Sequence, residues 1–270
     1  MNKKKITIIS AVALTCMVGL STINYPIKNI VKADEKATVN KVYAKSNVNK
    51  NNIKFPDENL EKAVREVTNK ADGNTLTAND FKMVTKLNLK SRNIKDISGL
   101  ECFENLQELD LSNNEIQDLS SLAELNYLKK LNLNKNKITD LTPLGEIKTL
   151  EKLNLRDNKI KNLEGLKNLS NLVEIDLSKN SVFIPKPLKD LKSLKTVNLD
   201  NNSITSAEDL AELVQVENLI LSNNQIDDKN LQYLIVLPNL KKLYLNDNPI
   251  EHIALLKRLP NLTRLNINND

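Results

Sequence analysis

Leu106-Gln107-Glu108-Leu109-Asp110-Leu111-Ser112-Asn113-Asn114-Glu115-Ile116-Gln117-Asp118-Leu119-Ser120-Ser121-Leu122 is the stretch that decides the fold. Leu109 and Leu111 alternate around Asp110, the period of a strand, so both point to one side. Asn114 follows three residues after Leu111. Ile116, Leu119 and Leu122 then recur every three residues, a spacing that suits 3₁₀ turns better than an α-helix. Strand, turn and 3₁₀ return together close one loop of chain with its apolar side chains turned inward.

The same unit extends in both directions. Leu87/Leu89, Leu109/Leu111, Leu131/Leu133, Leu153/Leu155, Ile175/Leu177, Val197/Leu199 and Leu219/Leu221 recur every 22 residues. Leu243/Leu245 comes after 24 and Leu265/Ile267 after 22 again, which makes nine strands. Asn114, Asn136, Asn158, Asn180, Asn202, Asn224 and Asn248 hold the equivalent turn position. A side-chain amide there can donate to and accept from backbone groups that the turn leaves unpaired, so stacked copies form a ladder. One unit cannot bury both its faces alone, so the array must fold as a stack.

The pattern resembles leucine-rich repeats, specifically the 22-residue bacterial type of the internalins, over residues 53–270. The resemblance implies an α/β leucine-rich repeat solenoid. A curved parallel β-sheet lines its concave face, 3₁₀ and short helical turns its convex face, and a helical cap closes its N-terminal end. Residues 53–86 read as that cap. Pro56 suits a first helical turn, and Leu60, Ala63, Val64 and Val67 mark one apolar face. Gly73 ends a loop. Thr77 and Asp80 are placed as a capping box, with Leu76 stapled to Phe81. Arg92 replaces the ladder Asn in the first repeat. Repeats run over 87–270, the last one truncated at Asp270. That predicts an open edge that frays or pairs end to end with another chain. Asp227 to Asn230 holds two extra residues and predicts a capped short α-helix.

Ahead of the cap, Lys3 to Lys5 precede an apolar run from Ile6 to Ile23 and a Val31-Lys32-Ala33 cleavage pattern. Residues 1–33 therefore read as a secretory signal of Gram-positive type, or a membrane anchor if uncleaved. Residues 34–52 are polar and read as a flexible linker. The expected location is extracellular, secreted or at the cell surface. Export leaves Cys102, expected at a loop position, as the only cysteine.

The chain has 270 residues, 40% hydrophobic but only 3% aromatic, with one His, two Cys and five Gly. Such a set has no phosphate-cradling loop and no metal-ligand spacing, so the reading is a non-enzyme without cofactor or metal. The net charge of +5 comes from 39 basic and 34 acidic residues. Lys3, Lys4, Lys5, Lys28 and Lys32 account for the excess, which leaves a neutral repeat array and no case for nucleic acid.

Strand residues that point away from the core line the concave face. Ile220 and Tyr244 with Lys242 and Arg264 have the chemistry of an interface anchor. Arg156, Lys152 and Lys130 add positive charge. The expected partner is a host or bacterial surface protein, with adhesion or virulence implied by the family resemblance. A cell-wall polymer or glycan is the alternative, through the column Asn88, Asp110, Asn132, Asn154, Asp176. Phe183-Ile184 is a second apolar spot. There Pro185 takes the place of a core Ile or Leu, and Ile184 is expected to fill the vacancy.

Overall fold

A computed structural model describes residues 51–267. The signal read at 1–33, the linker up to residue 50 and residues 268–270 lie outside the described residues.

Nine three-residue strands form one parallel sheet in chain order: β1 (Lys86–Asn88), β2 (Glu108–Asp110), β3 (Lys130–Asn132), β4 (Lys152–Asn154), β5 (Glu174–Asp176), β6 (Thr196–Asn198), β7 (Asn218–Ile220), β8 (Lys242–Tyr244) and β9 (Arg264–Asn266). The register matches equivalent repeat positions, Leu109 opposite Leu131 and Ile175 opposite Val197. Leu219 still faces Leu243 across the 24-residue spacing. The two extra residues are absorbed on the return side, where a 3₁₀ turn (Asp228–Asn230) leads into α-helix Leu231–Leu234 and Asp227 accepts from the Asn230 N–H. The other return segments are 3₁₀ helices of three to five residues, such as Ser120–Leu122 and Thr142–Glu146. Cys102 is buried in one of them (Leu100–Cys102) rather than on an open loop.

The asparagine ladder is continuous. Asn136 Nδ2 donates to the Leu133 carbonyl of its own repeat (3.1 Å) and to the Leu111 carbonyl of the repeat before (3.0 Å), while its Oδ1 accepts from the Ile116 N–H (3.0 Å). Asn114 through Asn248 repeat this scheme. The residue just before each ladder Asn is left-handed, with φ from 53° at Asn223 to 58° at Asp157. Five of these seven are Asn or Asp, the non-glycine types best suited to that region; Lys135 and Lys179 are the two departures.

Return segments also approach closely. A Cβ on Gly165 would meet the Leu141 carbonyl oxygen, so the repeats holding Leu141 and Leu163 pack at that contact only with glycine there.

The N-terminal cap holds α1 (Glu58–Thr68) and α2 (Ala78–Phe81). Pro56 precedes the helix rather than opening it, because Asp57 is the N-cap and accepts from the Asn59 and Leu60 N–H groups. Leu60, Ala63 and Val64 are buried, but Val67 is 43% exposed: the helix turns that residue off the core. Asp80 accepts from both the Thr77 N–H and its hydroxyl. Phe81 stacks on Phe103 of the first repeat at 4.4 Å and meets Phe55 edge-on, which joins cap and array into one apolar core. Arg92 reaches Glu66 of α1 at 2.8 Å.

The expected role of Ile184 is overturned. Pro185 itself is buried in the core position, and Phe183 and Ile184 are 52% and 56% exposed. Pro185 caps the 3₁₀ helix Lys186–Asp190, and its ring fills the space that a branched side chain takes in other repeats.

Candidate functional site on the strand face

Strands β1 to β8 bury their middle residue and turn the two flanking residues outward, and in β9 the middle residue Leu265 is partly buried. The outward residues form two columns across β1 to β9, and successive members of a column lie one strand spacing, about 4.8 Å, apart. The structure divides the predicted binding residues between two regions.

In β1 to β5 each strand lysine reaches a glutamate, two of them sharing one carboxylate. Lys86 and Lys130 both reach Glu108, at 3.3 and 2.9 Å, and Lys152 reaches Glu174 at 2.6 Å. Hydrogen bonds from Lys130 and Lys86 hold the Glu108 carboxyl below its ordinary range. Arg156 donates to Ser178 Oγ at 2.9 Å. The second column spends half its capacity on its own backbone: Asn88, Asp110, Asn132, Asn154 and Asp176 each accept an N–H from two residues ahead. Between the columns runs a groove of 560 Å³. The sequence places Glu108 and Glu174 on this face, and what its reading missed is their pairing with the lysines. Its signal was a 22-residue offset from each lysine, which places the pairs side by side.

In β7 to β9 the surface differs. Ile220 lies opposite Tyr244, and Lys242 lies opposite Arg264. The Arg264 guanidinium sits 5.4 Å from the Tyr244 ring centre, a cation–π contact that holds both side chains in place. Lys242 makes no ion pair among the described residues. Asn218 Oδ1, one strand from Lys242, is buried without a hydrogen-bond partner. A small apolar centre therefore carries two cations that form no ion pair among the described residues. From β3 to β8 is five strand spacings, about 24 Å, so Lys130 and Tyr244 do not share a patch.

His252 lies on the turn side. Its Nδ1 is 2.8 Å from Asp228 Oδ2, while Asp228 Oδ1 accepts from the Glu251 and His252 N–H groups. The hydrogen bond and charge of Asp228 raise the His252 pKa above 6.5. This contact joins successive repeats. Among the described residues, no cluster of three His, Cys, Asp or Glu could hold a metal, and no helix is long and apolar enough to cross a membrane.

Leucine-rich repeat family models match residues 82–124, 104–146 and 147–170. No curated protein matches significantly. Internalin C2 of Listeria monocytogenes shares the fold with a TM-score of 0.75 and 29% identity over 79% of this chain and 94% of its own. A leucine-rich repeat protein of Leptospira interrogans matches with a TM-score of 0.59 and 28% identity, over 63% of this chain and 45% of its own. The ectodomain of the Arabidopsis thaliana membrane receptor kinase GASSHO1/SCHENGEN3, solved in complex with Casparian strip integrity factor 2, matches with a TM-score of 0.57 and 27% identity, over 65% of this chain and 22% of its own.

Proposed function

For this chain, an internalin-like leucine-rich repeat protein, we propose a non-catalytic binding role exercised at the C-terminal end of its concave face. The observation that carries it is Tyr244, held by Arg264 and flanked in register by Ile220, beside Lys242, which makes no ion pair among the described residues. Interfaces draw most of their binding energy from aromatic and Arg anchors of this kind. The lysines of β1 to β4 already reach Glu108 and Glu174, so they offer less to a partner. The partner's own surface should then combine an apolar group with carboxylates. The signal-like N-terminus and the likeness to a Listeria internalin support an extracellular setting, with a surface protein of a host or another bacterium as partner. The likeness to a receptor ectodomain solved in complex with Casparian strip integrity factor 2 supports a protein ligand.

The test is binding of labelled protein to animal cells, with purified Gram-positive cell walls in parallel. Tyr244→Ala is expected to weaken cell binding by about ten-fold or more, the loss of one interface anchor. Unchanged binding by Tyr244→Ala removes this site. A second reading rests on the groove of β1 to β5, where oriented Asn and Asp side chains keep spare hydrogen-bonding atoms for a glycan or wall polymer. Retention on walls alone, lost as salt rises, favours that reading, because exposed charge contacts are screened.

A further inference from the structure

One repeat departs from its neighbours at three consecutive turn positions, 183 to 185. Three and four residues after the ladder Asn, the other repeats carry pairs such as Gln117-Asp118, Thr139-Asp140 and Lys161-Asn162. The second member caps the following turn: Asp118 accepts from the Ser120 N–H, Asp140 from Thr142, Asn162 from Glu164 and Ser206 from Glu208. After Asn180 the pair is Phe183-Ile184, so the cap oxygen is gone and two apolar side chains stand half exposed. Pro185 and Pro187 follow, both buried, and hold the backbone on which the pair is presented. Scattered single apolar residues are ordinary on a protein surface. An adjacent pair that replaces a capping residue, on a proline-held turn, is not explained that way.

Lysines outnumber carboxylates around the pair, although Asp157 stands one repeat from Lys179 and Glu164 and Glu208 stand one repeat to either side of Lys186. Lys159 and Lys161 occupy the repeat before it, and Lys179 and Lys186 flank it along the chain. All four are exposed, and none has an ion-pair partner among the described residues. The repeat-to-repeat bonds Ser181 N–H to Ile160 and Ser203 N–H to Val182 set Phe183 between Lys161 and Thr205. The positive zone is short. Along the same wall Asp96, Asp118 and Asp140 lie on one side and Asp228 on the other. An extended anionic plane such as a bilayer would meet those carboxylates. A short acidic segment would not.

We propose that Phe183 and Ile184 form a docking knob for an extended protein segment in which an apolar side chain is flanked by carboxylates. The apolar pair anchors the segment and the four lysines match its charge. This site is separate from the concave face and does not depend on it.

The experiment selects peptides from a random phage-displayed library on the full chain. The Phe183→Thr/Ile184→Asp chain serves for counter-selection, and affinities are measured by fluorescence anisotropy. That double variant copies Thr139-Asp140, so it restores the missing cap and should melt at or above the parent temperature. The enriched peptides should carry an apolar residue between Asp or Glu residues. They should bind the double variant about thirty-fold more weakly, the loss of a hot spot. Lys161→Glu should weaken them further and flatten their salt dependence. Tyr244→Ala should leave this binding intact, and the double variant should leave Tyr244-dependent binding intact. Peptides that lack acidic residues, or that bind parent and double variant equally, overturn the proposal. So does a selection that yields no such family while phosphatidylglycerol vesicles bind the parent and not the variant.

Discussion

A ladder asparagine serves three backbone groups with one side chain. In Asn136 the amide spans two repeats and leaves neither the Leu111 carbonyl nor the Ile116 N–H unmet. Asn136→Ala removes these three bonds and a longer fourth to the Asn134 carbonyl (3.5 Å) at a buried site, where unmade hydrogen bonds cost most. The expected loss is about 2–4 kcal/mol, read as a lower urea midpoint with unchanged slope. A variant within about 0.5 kcal/mol of the parent would mean that water replaces the amide and that the ladder is decorative. The equivalence of the ladder positions was legible in the sequence. The left-handed residue before each was not, because Asn113, Lys135 and Asp157 share no residue type that a periodic search would catch.

Among the elements, the N-terminal cap depends on Asp57. Its Oδ1 caps α1, and its Oδ2 accepts from the Lys95 and Asp96 N–H groups of the first repeat. Burial pushes its pKa up, and the backbone hydrogen bonds from Lys95, Asp96, Leu60 and Asn59 outweigh that and hold it below 3.8. A carboxyl lowered on folding stabilises the protein above its unfolded value, and that contribution is lost as pH falls through the folded one. Asp57→Asn is therefore expected to lower stability near neutral pH by about 1–2 kcal/mol and to reduce the acid-induced decline below pH 3.8. Thermal melts across pH 2–7, on the order of one scan per unit, check this. An identical acid limb in parent and variant would exclude Asp57 as its source. The sequence marked this helix through Leu60 and Val64 but misplaced its start, since Pro56-Asp57 offers a first-turn proline and a capping aspartate one residue apart.

For the whole molecule, stacking makes stability uneven. Lys152 N–H and Arg264 N–H make the same bond to the preceding repeat, each at 3.0 Å. The core beneath them differs: Leu153 and Leu155 are buried, whereas Leu265 and Ile267 are only partly so. In a repeat array each unit is held mainly by its neighbours. Hydrogen exchange should therefore run faster at Arg264 than at Lys152, by ten-fold or more if the difference in opening free energy exceeds about 1.4 kcal/mol. Equal protection at the two amides would show that the array opens only as one unit.

Periodicity dictated the solenoid, because a 22-residue recurrence of strand and 3₁₀ spacing admits few other ways to bury its leucines. It dictated the nine-stranded order and the ladder for the same reason. Which outward side chains matter was decided by proximity across repeats. Glu108 silences Lys130 from 22 residues away, Arg264 lies against Tyr244 from 20 residues away, and Gly165 admits the Leu141 carbonyl. Ile184 shows the limit most plainly. The period of three marks Val182, Pro185 and Leu188, not Ile184, but only the packed structure shows that a proline ring fills the place of a branched side chain without help from its neighbour.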